Sequence, residues 1–185
     1  MKKLYFKAFL LFALSIFTLS CTTDPIEPDD PDQPENPNTP ASYFKYDGKY
    51  FELTKGFLKI FSSSSNLYSL YLTGPNINYD TDMGALSGTD QTVLINFILS
   101  ENAISLPVHD FPYCTGAVEE NKYTSMRFDT NYTFTASGVL TGIENRRDTV
   151  HVTKTGNNYN ILYKGYDGLL KSFEIKYNGT INFIN

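Results

Sequence analysis

Tryptophan is absent from this 185-residue chain, and it has only two cysteines, Cys21 and Cys114, and two histidines, His109 and His151. Two cysteines cannot build a disulfide framework or a thiolate metal cluster, so neither staples nor structural zinc are expected. No zinc motif, glycine-rich phosphate loop or nucleophile elbow is present, which leaves no signature of an enzyme and no expected cofactor. Positive charge is scarce as well. Once residues 1–20 are set aside, 12 Lys and Arg face 20 Asp and Glu, and a nucleic-acid backbone would have to be met by clustered bases. After the first twenty residues no apolar run is long enough to span a bilayer. After Ala41 no stretch of ten or more residues carries a 3.6-residue period, so an extended helix is not expected.

What is present begins with MKKLYFKAFLLFALSIFTLSC. Lys2, Lys3 and Lys7 form a basic start, and Ala8 to Leu19 form an apolar segment too short for a permanent span, as in an export signal over residues 1–20. The end of this segment, Thr18-Leu19-Ser20-Cys21, resembles the lipobox of bacterial lipoproteins, although Thr18 stands where leucine is usual. That resemblance implies that Cys21 is acylated by palmitate-type chains and becomes the new N-terminus. The alternative is a secretory signal cut elsewhere, with Cys21 an ordinary thiol. Residues 21–41 follow with prolines at 25, 28, 31, 34, 37 and 40, six acids and no base. A three-residue repeat matches the turn of polyproline II, so this part reads as an extended acidic spacer with a reach of at most about 60 Å. A PxxP ligand is the alternative use of such a repeat.

Residues 42–185 are expected to form a single β-rich domain. In SYFKYDGKYFEL, Asp47-Gly48 predicts a type I′ turn that pairs Tyr46 with Lys49 and Tyr43 with Glu52. That register places Phe44, Tyr46, Phe51 and Leu53 on a core face, and Tyr43, Lys45, Tyr50 and Glu52 toward water. Gly56–Phe61 and Leu67–Thr73 read as a second pair, and Gly74–Gln91 as an irregular segment. Thr92–Leu99, almost continuously apolar, reads as a central strand covered on both faces. Pro107 and Pro112 confine 103–116 to a loop with short edge strands. Lys122–Phe128 and Tyr132–Val139 read as strands. Thr149–Thr155, Tyr159–Tyr166 and Leu169–Tyr177 read as a meander with tight turns, leading through Asn178-Gly179 into Thr180–Ile184. A short helix has room only in 83–88 or 115–122. The expected fold is an all-β antiparallel sandwich of about nine or ten strands, with a closed, lipocalin-like up-and-down barrel as the alternative.

The lipobox, the acidic proline spacer, the opening YFKYDGKYFEL and the closing VHVTKTGNNYNILYKGYDGLLKSFEIKYNGTI together resemble small Bacteroidetes outer-membrane lipoproteins of unknown function. The resemblance implies an outer-membrane address, on the cell surface or the periplasmic face, and transfers no catalytic or ligand residue. The early acids also resemble the surface-export signals of such lipoproteins, though Thr22 and Thr23 precede the first of them. Asp148-Thr149-Val150 resembles their short O-glycosylation motif.

The candidate sites are few. Asn76, Asn78, Asp80 and Asp82 alternate in one loop, where their oxygens would suit a hard cation such as calcium. As an EF-hand starting at Asn78 the loop fails, with Met83 in place of glycine and Thr89 in place of glutamate. A solvated turn is the better account. His109, Asp110 and Cys114 offer acyl-transfer chemistry if they meet, whereas Cys114 as a buried small hydrophobe is the plainer reading. Outward Tyr43 and Tyr50 are candidate sugar platforms. The expected role is a non-catalytic binding module for a glycan or an envelope protein, with a membrane contact through its lipid. A structural subunit of a surface complex is the alternative, and an enzyme the last choice.

Overall fold

Local chemistry decides the first hairpin. Strand β1 (Tyr43–Tyr46) and β2 (Lys49–Glu52) pair in the expected register around Asp47 and Gly48, whose φ angles of 49° and 79° are the positive values that a type I′ turn demands. The computed structural model describes residues 39–62, 66–114, 119–134, 143–145 and 148–184, all within a compact unit running Asn38–Asn185. Cys21 and the spacer through residue 38 lie outside these, as do 115–118 of one expected helix site and the 135–139 end of an expected strand.

The remaining strands are β3 (Lys55–Ser62), β4 (Leu67–Thr73), β5 (Asn78–Asp80), β6 (Ala85–Ile98), β7 (His109–Phe111), β8 (Lys122–Phe134), β9 (Ile143–Asn145), β10 (Val150–Thr155), β11 (Asn158–Tyr166), β12 (Ser172–Gly179) and β13 (Ile181–Ile184). They form two open sheets, in the orders β2-β1-β12-β11-β10-β7 and β13-β3-β4-β6-β8-β9, with β5 added beside β6. This is a sandwich and not a closed barrel. Among the described residues there are thirteen strands against the nine or ten expected, and three of them, β5, β7 and β9, have only three residues each. Among the described residues the strands pair antiparallel except where β13 lies parallel to β3, and an isolated parallel bridge joins Tyr113 to Tyr123.

Between the sheets runs a seam of aromatic rings. Phe44 stacks on Phe51 at 4.7 Å, and Phe128 stacks on Phe173 at 4.3 Å with only 13° between the planes. Phe128 also meets Tyr46, while Tyr123, five residues earlier on β8, meets Tyr163 of β11 and Tyr113 beyond β7. β8 therefore packs on more than one strand of the first sheet along its length. Each buried ring of this kind contributes about 1.5–3 kcal/mol by leaving water. Glycine appears inside β11 and β12 because a tyrosine two residues earlier folds over it. A Cβ on Gly165 would lie 2.6 Å from the Tyr163 hydroxyl, and one on Gly179 would lie 2.7 Å from that of Tyr177.

Gly74–Gln91 departs from expectation, for it is not irregular. β5 pairs with the start of β6, Tyr79 opposite Leu86, through a turn that ends at Gly84. Ile77, Phe57 and Ile184 make a second small core with Tyr71, Tyr79, Leu86 and Phe134, on the far side of the second sheet from the aromatic seam. Residues 83–88, offered for a helix, belong to this hairpin. β6 is central as expected, with Val93, Ile95 and Phe97 buried inside. Its other face is only partly covered: there Asn96 accepts from Ser69 Oγ at 2.7 Å and donates to Ser125 Oγ at 2.8 Å, a polar rung across three strands. As far as residue 134, the strands expected from Lys122 and from Tyr132 are one strand, β8.

Candidate functional site

The outer face of the first sheet gathers three of the sequence-predicted residues, Tyr43, Tyr50 and Asp110. Alternation along each strand sends Ile161, Tyr163, Phe173 and Ile175 into the seam, and Leu162, Lys164, Glu174 and Lys176 outward. Register then aligns the outward side chains into rows. One crosses all six strands as Asp110, His151, Leu162, Lys176, Tyr43 and Glu52. The next row runs Lys164, Glu174, Lys45 and Tyr50. Opposite charges alternate along and between the rows, so the face carries little net charge. At its middle Leu162 is 49% exposed, an apolar spot surrounded by charged side chains. Beside it Asp148, Thr149, His151, Leu162, Tyr163 and Lys164 line a shallow cleft of about 230 Å³.

Tyr43 corrects one expectation: although it faces outward, it is buried, with its ring edge against Tyr50 at 4.9 Å and its hydroxyl donating to Glu174 at 2.9 Å. Tyr50 is exposed, but the Lys45 ammonium sits 4.9 Å from its ring centroid. The two tyrosines thus pack edge to face and do not present the flat double platform on which a sugar stacks.

His109 and Asp110 are consecutive in β7 and point to opposite faces. Asp110 instead meets His151 across the β7–β10 pairing, Oδ1 to Nδ1 at 2.8 Å, with both side chains well exposed. The His109 ring lies edge-on to Phe111. Cys114 is half-buried, and its backbone N–H donates to the Tyr123 carbonyl. The acyl-transfer grouping is therefore not assembled from His109 and Asp110, and the His–Asp pair that does form uses His151.

In the Asn76–Asp82 loop, oxygens do converge on a cation, but it is a lysine. Lys55 Nζ donates to the carbonyls of Pro75 and Ile77, each at 2.7 Å, and to Asn78 Oδ1 at 2.9 Å. Asp80 Oδ1 accepts the N–H groups of Asp82 and Met83, closing the β5–β6 turn. Among the described residues no three His, Cys, Asp or Glu side chains are grouped to hold a metal ion.

One surface feature is missed by sequence reasoning. Leu169, Leu170 and Lys171 do not begin β12 but form, with Asp167 and Gly168, a five-residue loop between β11 and β12. Asp167 holds the loop with nearly every polar group it has. Its carboxylate accepts the N–H groups of Leu169 and Lys171 at 2.8 and 2.9 Å and the Tyr46 hydroxyl at 2.7 Å, and its backbone bonds Leu170 and Lys171. Lys171 reaches back to Asp47 at 2.7 Å. Burial alone would raise the Asp167 carboxyl, but the Tyr46 hydroxyl, the two N–H groups and the Lys171 charge outweigh it and hold it below its ordinary range. Burial, the bond to Asp167 and the nearby carboxylates push Tyr46 up to about 12. The loop thus displays Leu169 and Leu170 at 76% and 80% exposure, with Leu170 at φ 62°, a region that costs a branched L-residue about 1–2 kcal/mol. Its sequence sign, two leucines directly after Asp-Gly where turns are normally polar, was legible in principle.

No protein-family model, curated protein or solved structure matches the chain.

Proposed function

We propose that this chain is a non-catalytic binding domain, held in a bacterial outer membrane through lipid on Cys21, that engages an envelope protein through the outer face of its first sheet. The observation behind this reading is Leu162, half-exposed at the centre of a sheet face whose rim is a near-neutral lattice of lysines and acids. A desolvated apolar centre inside a polar rim is the usual anatomy of a protein contact. A glycan is the weaker alternative, because Tyr43 is buried and Tyr50 is shared with Lys45. Acyl-transfer chemistry is weaker still, with Asp110 facing away from His109.

The test is a photoreactive side chain placed at Leu162 in the living cell. A discrete protein adduct from Leu162, absent when the group is placed at exposed Thr155 on the β10–β11 turn, is expected. Failure to form any adduct, together with binding to a sugar array, would overturn the reading in favour of a glycan. Labelled fatty acid should be incorporated by the native chain and lost in Cys21→Ala.

A further inference from the structure

β4 and β5 are one arm of a long hairpin with β6. Their pairing keeps a single register, Thr73 opposite Thr92 and Asn78 opposite Ser87, across a break at residues 74–77. The body of the second sheet ends at that break: among the described residues β8 pairs with β6 only as far as Gly88, and Ala85, Leu86 and Ser87 pair with β5 alone. The tip beyond it folds back over the outer face of the sheet. Two lysines of β3 reach it there, Lys55 through the Pro75 and Ile77 carbonyls and Asn78 Oδ1, and Lys59 through the Gly84 carbonyl at 3.3 Å. Beneath the tip Phe57 and Ile184 are 5% and 4% exposed, with Ile77 buried against them.

Two features set this tip apart from the rest of the domain. Its attachment is slight, since Ile77 is the one buried side chain in residues 75–87. Several of its polar ties are open to water: those from Lys55 to Pro75 and Asn78, and the Asn76 N–H donating to Asp90 Oδ2 at 2.8 Å. A segment with few buried apolar contacts and water-exposed hydrogen bonds opens at a lower free energy than a packed core. The second feature is a hinge. Gly74 begins the break on one strand and Gly88 ends it on the other; a Cβ on the first would run into the Asp90 carboxylate, and one on the second into Asn76. We propose that residues 75–87 are a lid on the outer face of the second sheet, latched by Lys55 and opening as a unit at Gly74 and Gly88 while both sheets stay folded. Opening bares Phe57, Ile184 and the ring of Tyr71, an apolar face that the closed domain keeps from water. Lys55 is the principal latch, because three oxygens share its ammonium and charge-assisted hydrogen bonds exceed neutral ones. This goes beyond the sheet-face reading and concerns the other sheet.

The test is native-state hydrogen exchange of the full chain, followed amide by amide as guanidinium is raised below the unfolding transition. The hydrogen-bonded amides of residues 77–80 and 85–87 are expected to exchange at least about tenfold faster than those of 93–97, with a shared denaturant dependence that is small but not zero. Lys55→Met keeps the stem and removes the ammonium; it should speed the lid amides by about tenfold or more and leave 93–97 unchanged. Lys154→Met, on the first sheet, should leave the lid amides as they are. Lid amides that share the rate and denaturant dependence of 93–97 overturn the proposal, because the tip then belongs to the core. A dependence of zero overturns it too, since that marks fraying residue by residue. So does a folded Lys55→Met chain whose lid amides exchange as in the native one. The first two readings need no substitution and stand by themselves where Lys55→Met does not fold.

Discussion

Asp167 shows how one side chain can replace a turn. Asp-Gly at 167–168 reads as a two-residue hairpin, yet the chain spends five residues there, since the carboxylate binds the N–H groups of Leu169 and Lys171 that a tighter turn would have used differently. The left-handed residue is accordingly Leu170, not Gly168. A carboxyl held below its unfolded value adds stability that is complete above the unfolded value of about 3.9 and is lost as pH falls through the lowered folded value. The amides of Leu169 and Lys171 should therefore keep their hydrogen-exchange protection at neutral pH and lose it as the medium is acidified below about pH 4. In Asp167→Ala the protection should be missing at every pH, with a cost to global stability of about 1–3 kcal/mol by chemical denaturation. The Asp110–His151 pair was beyond sequence reasoning for a different reason. Its members are brought opposite one another by the register of β7 on β10, which nothing local to either strand specifies.

Among the elements, those joined by short turns were legible and the others less so. The first hairpin follows from Asp47-Gly48, and β10 and β11 from Gly156-Asn157, because a two-residue turn fixes register without help from the rest of the chain. The β5–β6 hairpin escaped notice because its polar, glycine-bearing residues look like loop. Its apolar members, Ile77, Tyr79 and Leu86, are too few to show a period and make sense only against Phe57 and Ile184. Gly88 closes the base of this hairpin: its φ is 111°, and a Cβ there would collide with the backbone carbonyl of Asn76. We expect Gly88→Ala to cost about 2–3 kcal/mol, since backbone rather than a pliable side chain must yield. Denaturant unfolding measures the loss, and Gly168→Ala, with open space around its Cβ, should leave stability within about 0.5 kcal/mol as the control.

At the scale of the molecule, the sandwich was legible from alternating strands and the lack of helical period, while the way the sheets cross was not. Crossing is decided by which rings meet, and Phe128, touching Phe44 and Tyr46 of β1 and Phe173 of β12, is the point where the two sheets share most. Phe128→Ala should cost about 3–5 kcal/mol, with one cooperative transition retained, by calorimetry or denaturant titration. The parallel placement of β13 against β3 bears on how the molecule comes into being. The second sheet has no outer strand beside β3 until residues 181–184 are at hand, after every other strand has been made. A polypeptide leaving the ribosome therefore carries an unfinished sheet through nearly the whole of its synthesis, and so long-range a contact closes slowly.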